Sequence, residues 1–283
     1  MRYARLVVTA ECEYWVEAAC RAATGFATSV IGCDAEAGIE QFLPHERTPD
    51  GRPGAALLFF GFSSKSLASA VANRTAQCLL PCATTAVYDG LRDTDDRIAL
   101  GKNLRFFGDG HQKSKVIAAR RYWRIPVMDG EFLVEETAGV GHGVGGGNLI
   151  IQGASQTAAL VAARRAAEAV AQLSGVITPF PGGVVRSGSK VGSRYRQLKA
   201  STNDAYCPTL AGCVTTHLHA QAACAYEIVI DGVDEGHVSR AMASAIRAAA
   251  GDEIVAITAG NYGGKLGKFH FHLHHLLQEV GID

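Results

Sequence analysis

One pattern of strands and helices occurs twice along these 283 residues, and it constrains the fold more than any other feature of the sequence. Each half reads strand, helix, strand, then a loop, then strand, helix, strand. That order is typical of the split β-α-β arrangement. We therefore predict an α+β protein with two ferredoxin-like lobes from an internal duplication, an N-terminal lobe over residues 1–145 and a C-terminal lobe over residues 146–283. The alternative is a single α/β sheet with irregular insertions.

In the first half, apolar periodicity and the positions of Gly and Pro indicate the elements. We predict strands at Leu6–Val8, Ala27–Ile31, Ala56–Phe60 and Cys78–Ala83, and helices at Glu13–Ala23 and Ser64–Ala76. Residues 92–147 lie between the repeats. They contain apolar stretches at Arg105–Phe107 and Tyr122–Ile125, which predict short strands rather than a flexible linker.

The second half repeats the order. We predict strands at Asn148–Gln152, Val176–Ile177, Tyr226–Ile230, Ile254–Thr258 and Lys268–Leu273, and helices at Gln156–Leu173 and Glu235–Ala250. Ser155 or Thr157 is the expected N-cap of the first of these helices.

The charge balance excludes one class of partner. Lys and Arg total 27, as do Asp and Glu, so no basic excess predicts nucleic-acid binding. A net charge of zero favours self-association. No apolar run approaches the roughly 20 residues that a membrane helix needs. The eight cysteines form no CxxC pair, which is typical of reduced thiols. We therefore expect a cytoplasmic protein with no membrane partner.

Common catalytic motifs are absent from the sequence, which has neither a GxSxG elbow nor a GxxxxGK[ST] phosphate loop. The glycine run Gly141–Gly147 precedes a strand, whereas a dinucleotide loop follows one. His270, His272 and His274 would share one face of a strand, but they lack the acidic or thiolate partners of a typical zinc site. We expect no bound metal; the alternative is a metal enzyme that uses these histidines.

Glycines beside polar side chains let a ligand approach the backbone closely. Such loops occur at 108–110, 187–193, 201–208 and 260–265. Together they favour a site for a large polar ligand, although each alone is compatible with ordinary turn chemistry. The predicted substrate-binding residues are Ser187, Gly188, Ser189, Lys190, Ser201, Thr202, Asn203 and Asp204.

Glu227 lies inside the predicted strand Tyr226–Ile230. Strand alternation places it on the same face as Val229. If that face is interior, burial would raise the pKa of the carboxyl and favour its protonated form. If that face meets solvent, Glu227 is an ordinary surface residue, and the pattern leaves both alternatives open.

Several stretches, taken together and in order, resemble formylmethanofuran:tetrahydromethanopterin formyltransferases. They are Ala23–Ile31, Ala35–Ile39, Glu46–Gly54, Phe106–Gly110, Pro179–Gly183, Ser187–Ser193, Ala200–Pro208, Tyr226–Gly232 and Ala259–Gly267. The resemblance implies two ferredoxin-like lobes, homo-oligomers in which dimers pair into tetramers, and substrate clefts between subunits. It implies a reaction without metal or bound cofactor, in which tetrahydromethanopterin and methanofuran act as substrates. The family's important carboxylate corresponds to Glu227, which we predict to be catalytic.

Two stretches, Pro126–Phe132 and the Phe-His-Phe-His-Leu sequence at 269–273, are similar to the methylotrophic bacterial branch of that family. The resemblance there implies a subunit of a formyltransferase/hydrolase complex, with hydrolase subunits as partners. The chain departs from the family at 211–223, a stretch without an obvious counterpart, and it begins close to the first strand. The alternative function is a non-catalytic assembly subunit of a formyl-hydrolase complex.

Overall fold

The computed structural model describes residues 1–260 and 269–279. They form a mixed α+β protein whose chain divides into two compact units, Met1–Gly143 and Val144–Asp283. Each unit has its own apolar core and its own main sheet.

The first unit is built on one large sheet and one short strand pair. The strands of this unit are β1 (Arg2–Thr9), β2 (Glu36–Leu43), β3 (Gly54–Gly61), β4 (Ala86–Asp89), β5 (Arg97–Ala99), β6 (Lys113–Ile117), β7 (Arg120–Val127), β8 (Gly130–Glu135), β9 (Thr137–Gly139) and β10 (Gly141–His142). Its helices are α1 (Glu13–Thr24), α2 (Ser64–Arg74) and α3 (Gly101–Leu104). The sheet order is β2-β3-β1-β4-β8-β7-β6, with β10 also paired to β1, while β5 and β9 form a separate pair.

The second unit has a smaller sheet. Its strands are β11 (Val144–Gly153), β12 (Val176–Ile177), β13 (Lys190–Val191), β14 (Ala200–Ser201), β15 (Cys224–Gly232) and β16 (Ile254–Thr258). Its helices are α4 (Gln156–Ala171), α5 (Glu235–Ala249) and α6 (Leu273–Glu279). The order is β12-β15-β11-β16 with antiparallel neighbours, and β13 pairs with β14 outside this sheet.

The sequence explains why α4 and α5 pack on one face of the second sheet. Ser155 and Asp234 cap the two helices, because their side-chain oxygens accept hydrogen bonds from Ala158 N and His237 N. The buried residues of α4 are almost all alanine, which lets the helix approach its neighbours closely. Gly147 of β11 likewise lets α5 pack closely, since a Cβ at this position would lie 2.6 Å from Val238 Cγ1 of α5. The glycine run was predicted to precede a strand, but it is itself part of two strands, because β10 covers Gly141–His142 and β11 begins at Val144.

Three predicted strands of the first unit are wrong. Residues 27–31 have no regular secondary structure, and the second strand begins only at Glu36. A side-chain clamp explains this, because Arg74 donates to the carbonyls of Ala23, Gly25 and Phe26 and holds the chain after α1 in a compact bend. The stretch at 78–83 continues α2 as a π-helical turn over Thr75–Leu79, so the strand begins at Ala86. Arg105–Gly108 is a 3-10 helix.

The predicted closing strand is also wrong where the structure describes it. Residues 269–272 have no regular structure, and Leu273 begins helix α6. Leu276 is buried in the apolar core of the second unit, with Leu273 and Leu277 packed against it, a helical spacing that overrides the alternating histidines. Lys268 lies outside the described residues, as does most of the predicted loop at 260–265.

Candidate active site

The second sheet has an apolar face and a mixed face at β11 and β15. The mixed face carries both polar and apolar side chains: Asn148, Ile150, Gln152, Glu227 and Val229. Ile228 and Ile230 of β15 pack into the core with α4 and α5. Glu227 alternates with them and therefore points to the opposite face, where its register partner is Ile150. Glu227 is only 3% exposed. Ser189 contacts its carboxyl, and Val185 pairs with its backbone along the edge of β15. Val185 N donates to Glu227 O at 2.7 Å, and Glu227 N donates to Val185 O at 3.1 Å.

The Glu227 carboxyl is held through one of its oxygens. Oε1 accepts a hydrogen bond from Ser189 Oγ at 2.6 Å and a second from Asn148 Nδ2 at 3.1 Å. Oε2 is buried and has no hydrogen-bond partner among residues 1–260 and 269–279. Burial raises the pKa of Glu227, and the donors Ser189 and Asn148 offset only part of that rise. The neutral acid therefore persists to higher pH than in an exposed glutamate, which answers the question that strand alternation left open.

The two predicted binding loops meet in one small structure beside Glu227. Lys190 and Val191 of β13 pair with Ser201 and Ala200 of β14. Lys190 Nζ lies 2.7 Å from Asp204 Oδ1, and this hydrogen bond lowers the pKa of the Asp204 carboxyl. Both side chains are more than one-third exposed, so the pair orders the loop without adding much stability.

A second set of contacts closes the base of these loops. Asn203 N and Thr202 Oγ1 both donate to Ser187 O. Gly188 has a φ of +73°, and a Cβ there would lie 2.3 Å from Asn203 Cβ, so this position requires glycine. The loops are thus fixed by their own backbone contacts.

A cavity of about 30 Å³ lies at this junction. It is large enough for one or two waters, or for a group of the size of a formyl. Its lining combines residues of β11, β15 and both loops: Ile150, Val185, Arg186, Ser187, Gly188, Asn203, Tyr206, Cys207, Ala225, Tyr226 and Glu227. A larger cavity, about 570 Å³, lies in the first unit, but its titratable residues Glu13, Glu17 and His45 are all exposed. The smaller cavity holds the buried acid and is the better candidate for chemistry.

The eight predicted binding residues fall into groups around this cavity. Ser187, Gly188 and Asn203 line it, and Ser189 contacts Glu227 directly. Lys190 and Asp204 pair with each other. The hydroxyls of Ser201 and Thr202 donate to the backbone oxygens of Gly192 and Ser187, so they hold the loops together.

Sequence reasoning missed Asn148 and Gln152, two buried polar residues on the same face of β11 as Ile150. Polar residues at alternate positions of an otherwise apolar strand were the available signal. Their contact with the site depends on strand register, which the sequence did not reveal. Val185 was missed because its pairing with Glu227 lies outside the predicted strands. Tyr206 lies in the predicted loop at 201–208 but was not among the predicted binding residues.

Gln152 connects the sheet to the stretch at 211–223. Its Oε1 accepts from His219 N at 2.7 Å, and its Nε2 donates to His217 O at 3.5 Å. The His217 ring stands edge-on to Tyr206, with ring centroids 5.6 Å apart. Because Tyr206 lines the cavity, this stretch supports one of its walls.

Metal ligation finds no support in the described part of the chain, where no cluster of three or more His, Cys, Asp or Glu side chains could hold an ion. His270, His272 and His274 are exposed. Across the same residues, no helix is both long and apolar enough to span a membrane.

Comparison with known proteins decides the family. Residues 1–127 match the family model described as formylmethanofuran-tetrahydromethanopterin formyltransferase, and residues 130–276 match the model of its proximal lobe. The chain belongs to this formyltransferase family. The resemblance identified from the sequence is thereby confirmed.

Relatives of this formyltransferase family align along almost the whole chain. A formylmethanofuran–tetrahydromethanopterin formyltransferase from Methylobacillus flagellatus is 52% identical over 98% of this chain and 94% of its own length. A subunit of the formyltransferase/hydrolase complex of Methylorubrum extorquens is 47% identical over 97% of this chain and 91% of its own length.

Two solved structures of formyltransferases have the same fold. The enzyme from Methanosarcina barkeri superposes with a TM-score of 0.91 at 45% identity, covering 97% of this chain and 94% of the other. The Methylorubrum extorquens complex, whose structure contains methylofuran, has a matching chain with a TM-score of 0.93 at 46% identity, covering 98% and 92%.

Proposed function

We propose that this chain is a formyltransferase that moves a formyl group reversibly between a methanofuran-type amine and N5 of tetrahydromethanopterin in one-carbon metabolism. The observation that carries the proposal is a buried glutamate with a raised pKa, Glu227, beside a cavity of formyl size in a chain of this family. A buried carboxyl whose pKa is raised toward neutrality is suited to general acid–base catalysis.

Formamides are poor acyl donors, because resonance strengthens the C–N bond. In the proposed reaction, N5 attacks the formyl carbon, a C–N bond forms, and the C=O π electrons move to oxygen. The oxyanion then re-forms the C=O bond as the bond to the original nitrogen breaks. That nitrogen leaves with a proton from Glu227, and the carboxylate recovers the proton that N5 loses. Alternatively, Glu227 donates a hydrogen bond to the oxyanion.

Most of the rate enhancement would come from placement. Holding both reactants in the correct geometry supplies about 7–11 kcal/mol. One preorganised donor to the oxyanion supplies about 2.7–4 kcal/mol. We assign substrate orientation to the loops that carry Ser187–Lys190 and Ser201–Asp204, because they line or support the cavity. Direct transfer between the two nitrogens then requires no covalent acyl-enzyme.

The test is Glu227→Gln, assayed for formyl transfer with both carriers supplied. Transfer should fall by at least about a hundredfold, the lower range for loss of a general acid–base group. Glu131→Gln is the matched control, because Glu131 is an exposed strand glutamate of the first unit. Near-normal transfer by the Glu227 variant would remove this residue from the mechanism. No transfer by the wild-type protein would favour the assembly subunit instead.

We further propose that both halves, residues 1–145 and 146–283, are ferredoxin-like lobes from a duplication. Two matching strand orders support this. If the strands that flank the two helices of each repeat are numbered one to four, the order in both sheets is two-three-one-four with antiparallel neighbours. This is the order expected when a strand inserts into a split β-α-β unit.

Assembly belongs to the proposal as well. We propose a cytoplasmic homo-oligomer, a dimer of dimers, that uses the two carriers as substrates and holds no bound cofactor. Association with hydrolase subunits is supported by the relative from Methylorubrum extorquens, which is named as a subunit of such a complex. Native mass measurement of the purified protein, alone and with candidate subunits, tests this assembly.

A further inference from the structure

Asn148 joins Glu227 to the end of β16. Its side chain is buried, with only 6% of the residue exposed. Its Nδ2 lies 3.1 Å from Glu227 Oε1, and its Oδ1 lies 2.9 Å from Gly260 N. Both ends of the amide are therefore engaged.

The contact with Gly260 fixes which way the Asn148 amide faces. A backbone N–H can only donate, so the Asn148 atom beside Gly260 N must be the oxygen. The amide nitrogen then faces Glu227, and it too can only donate. Ser189 also donates to Oε1, but a hydroxyl can reverse its role and accept. The Ser189 backbone N–H also hydrogen-bonds to the carboxyl. Asn148 is therefore the described side chain that must donate to Oε1 and holds this oxygen as an acceptor.

We propose that Asn148 is a positioning residue that holds Oε1 of Glu227 as a hydrogen-bond acceptor and so places the carboxyl proton on Oε2. This inference rests on the proposed function, and it specifies which oxygen exchanges protons with the substrate. Oε2 is buried and no described residue hydrogen-bonds to it, so no described residue competes with the reacting nitrogen or oxygen for a proton there.

None of the described charged groups near Glu227 determines which of its oxygens carries the proton. Arg186 lines the same cavity but is exposed. Lys190 pairs with Asp204. Asp231, further along β15, accepts from Gly146 N through Oδ1. Across the sheet, Glu227 faces uncharged Ile150. No described charged side chain hydrogen-bonds to Glu227.

The direct test is infrared spectroscopy of the full chain at a pH where Glu227 is protonated. The C=O stretch of Glu227 is the carboxylic acid band that Glu227→Gln removes. If Oε1 is the carbonyl oxygen, Asn148→Ala removes one of its hydrogen bonds, and the band shifts to higher wavenumber. An unmoved band would place the proton on Oε1 and overturn the inference.

Two further variants keep this test decisive. Asn148→Ser should give the same shift, because its hydroxyl ends one bond short of the Asn148 amide nitrogen and cannot reach Oε1, while its polarity favours folding. Asn73→Ala is the matched control, because Asn73 is an exposed asparagine of α2. The band should stay in place in that variant.

Transfer kinetics separate the two proposals. Asn148→Ala should lower kcat by at least about tenfold, since the acid is misdirected, and leave KM for both carriers within about twofold. Its kcat should also reach its alkaline limit at higher pH, because the ionised form of Glu227 has lost a donor. Wild-type kcat and pH profile with an inactive Glu227→Gln would overturn this inference alone. An active Glu227→Gln would overturn the proposed function.

Discussion

At the scale of single residues, burial of the Glu227 carboxyl makes a contribution to stability that depends on pH. Its pKa is raised in the folded protein by burial. The folded state therefore holds a proton at pH values where the unfolded chain has released it. This contribution is fully present below the ordinary glutamate pKa of about 4.3 and is lost as pH rises through the raised folded pKa.

Glu227→Gln cannot ionise, so it escapes this loss. We expect the unfolding free energy of the wild type to fall relative to that of the variant as pH rises from about 4 toward neutrality. Denaturant titrations of both proteins at matched pH measure the difference. A difference that stays constant over this range would contradict the raised pKa.

Gly188 is the second residue whose environment gives a sharp expectation. Its φ of +73° is unfavourable for other residues, and a Cβ would lie 2.3 Å from Asn203 Cβ. Gly188→Ala should therefore separate the two loops and raise KM for a carrier by about tenfold or more, as small displacements at a site commonly do.

Gly192 offers the matched control for this substitution. Its φ is +89°, but a Cβ there would meet no atom within 4 Å. Gly192→Ala should cost about 1–2 kcal/mol of backbone strain and leave KM nearly unchanged. Equal effects of the two substitutions on KM would show that strain alone matters and that the Gly188 contact does not.

At the scale of elements, Gln152 holds the stretch at 211–223 in place, and this stretch in turn contacts Tyr206 in the wall of the cavity. Gln152→Ala would remove the acceptor of His219 N and the donor to His217 O. Because both histidines are exposed and both contacts are only part-buried, the loss should be at the low end of the range for a missing hydrogen bond, about 1 kcal/mol. We expect faster hydrogen exchange at the amides of His217 and His219, together with a lower kcat/KM. Gln172→Ala, at the exposed end of α4, should change neither.

Helices and strands with a clear apolar pattern could be predicted from the sequence, because that pattern depends only on neighbouring residues. Helices α1, α4 and α5 and strand β16 agree with prediction to within two residues. The strand predicted at 27–31 failed because Arg74, more than 40 residues later, holds that segment in a bend. The secondary-structure preferences of neighbouring residues give no information about such a long-range contact.

In the candidate site too, local features could be predicted from the sequence, whereas contacts between distant segments could not. The loops at 187–193 and 201–208 were visible as polar, glycine-containing segments, and the structure brings them together. The burial of Glu227 was not visible, because both faces of β15 are covered and alternation alone cannot distinguish them. Asn148 required the register between β11 and β15, which only the folded sheet defines.

At the scale of the whole molecule, several large apolar side chains remain outside the two cores. Phe26, Phe106 and Phe107 are each more than 60% exposed. Exposed apolar side chains point to an association surface where they are contiguous, and Phe106 and Phe107 are neighbours in the sequence. The net charge of zero adds no repulsion between copies of the chain, so both features support the proposed homo-oligomer.

If the carriers bind between subunits, activity depends on assembly. Diluting the protein through its dissociation range should lower transfer per chain in parallel with the loss of four-chain particles. Mass photometry and the transfer assay on the same dilution series measure both quantities. Adding back Glu227→Gln protein provides the control, because it restores assembly without adding a competent acid. Constant activity per chain as the particles dissociate would place the complete site within one subunit.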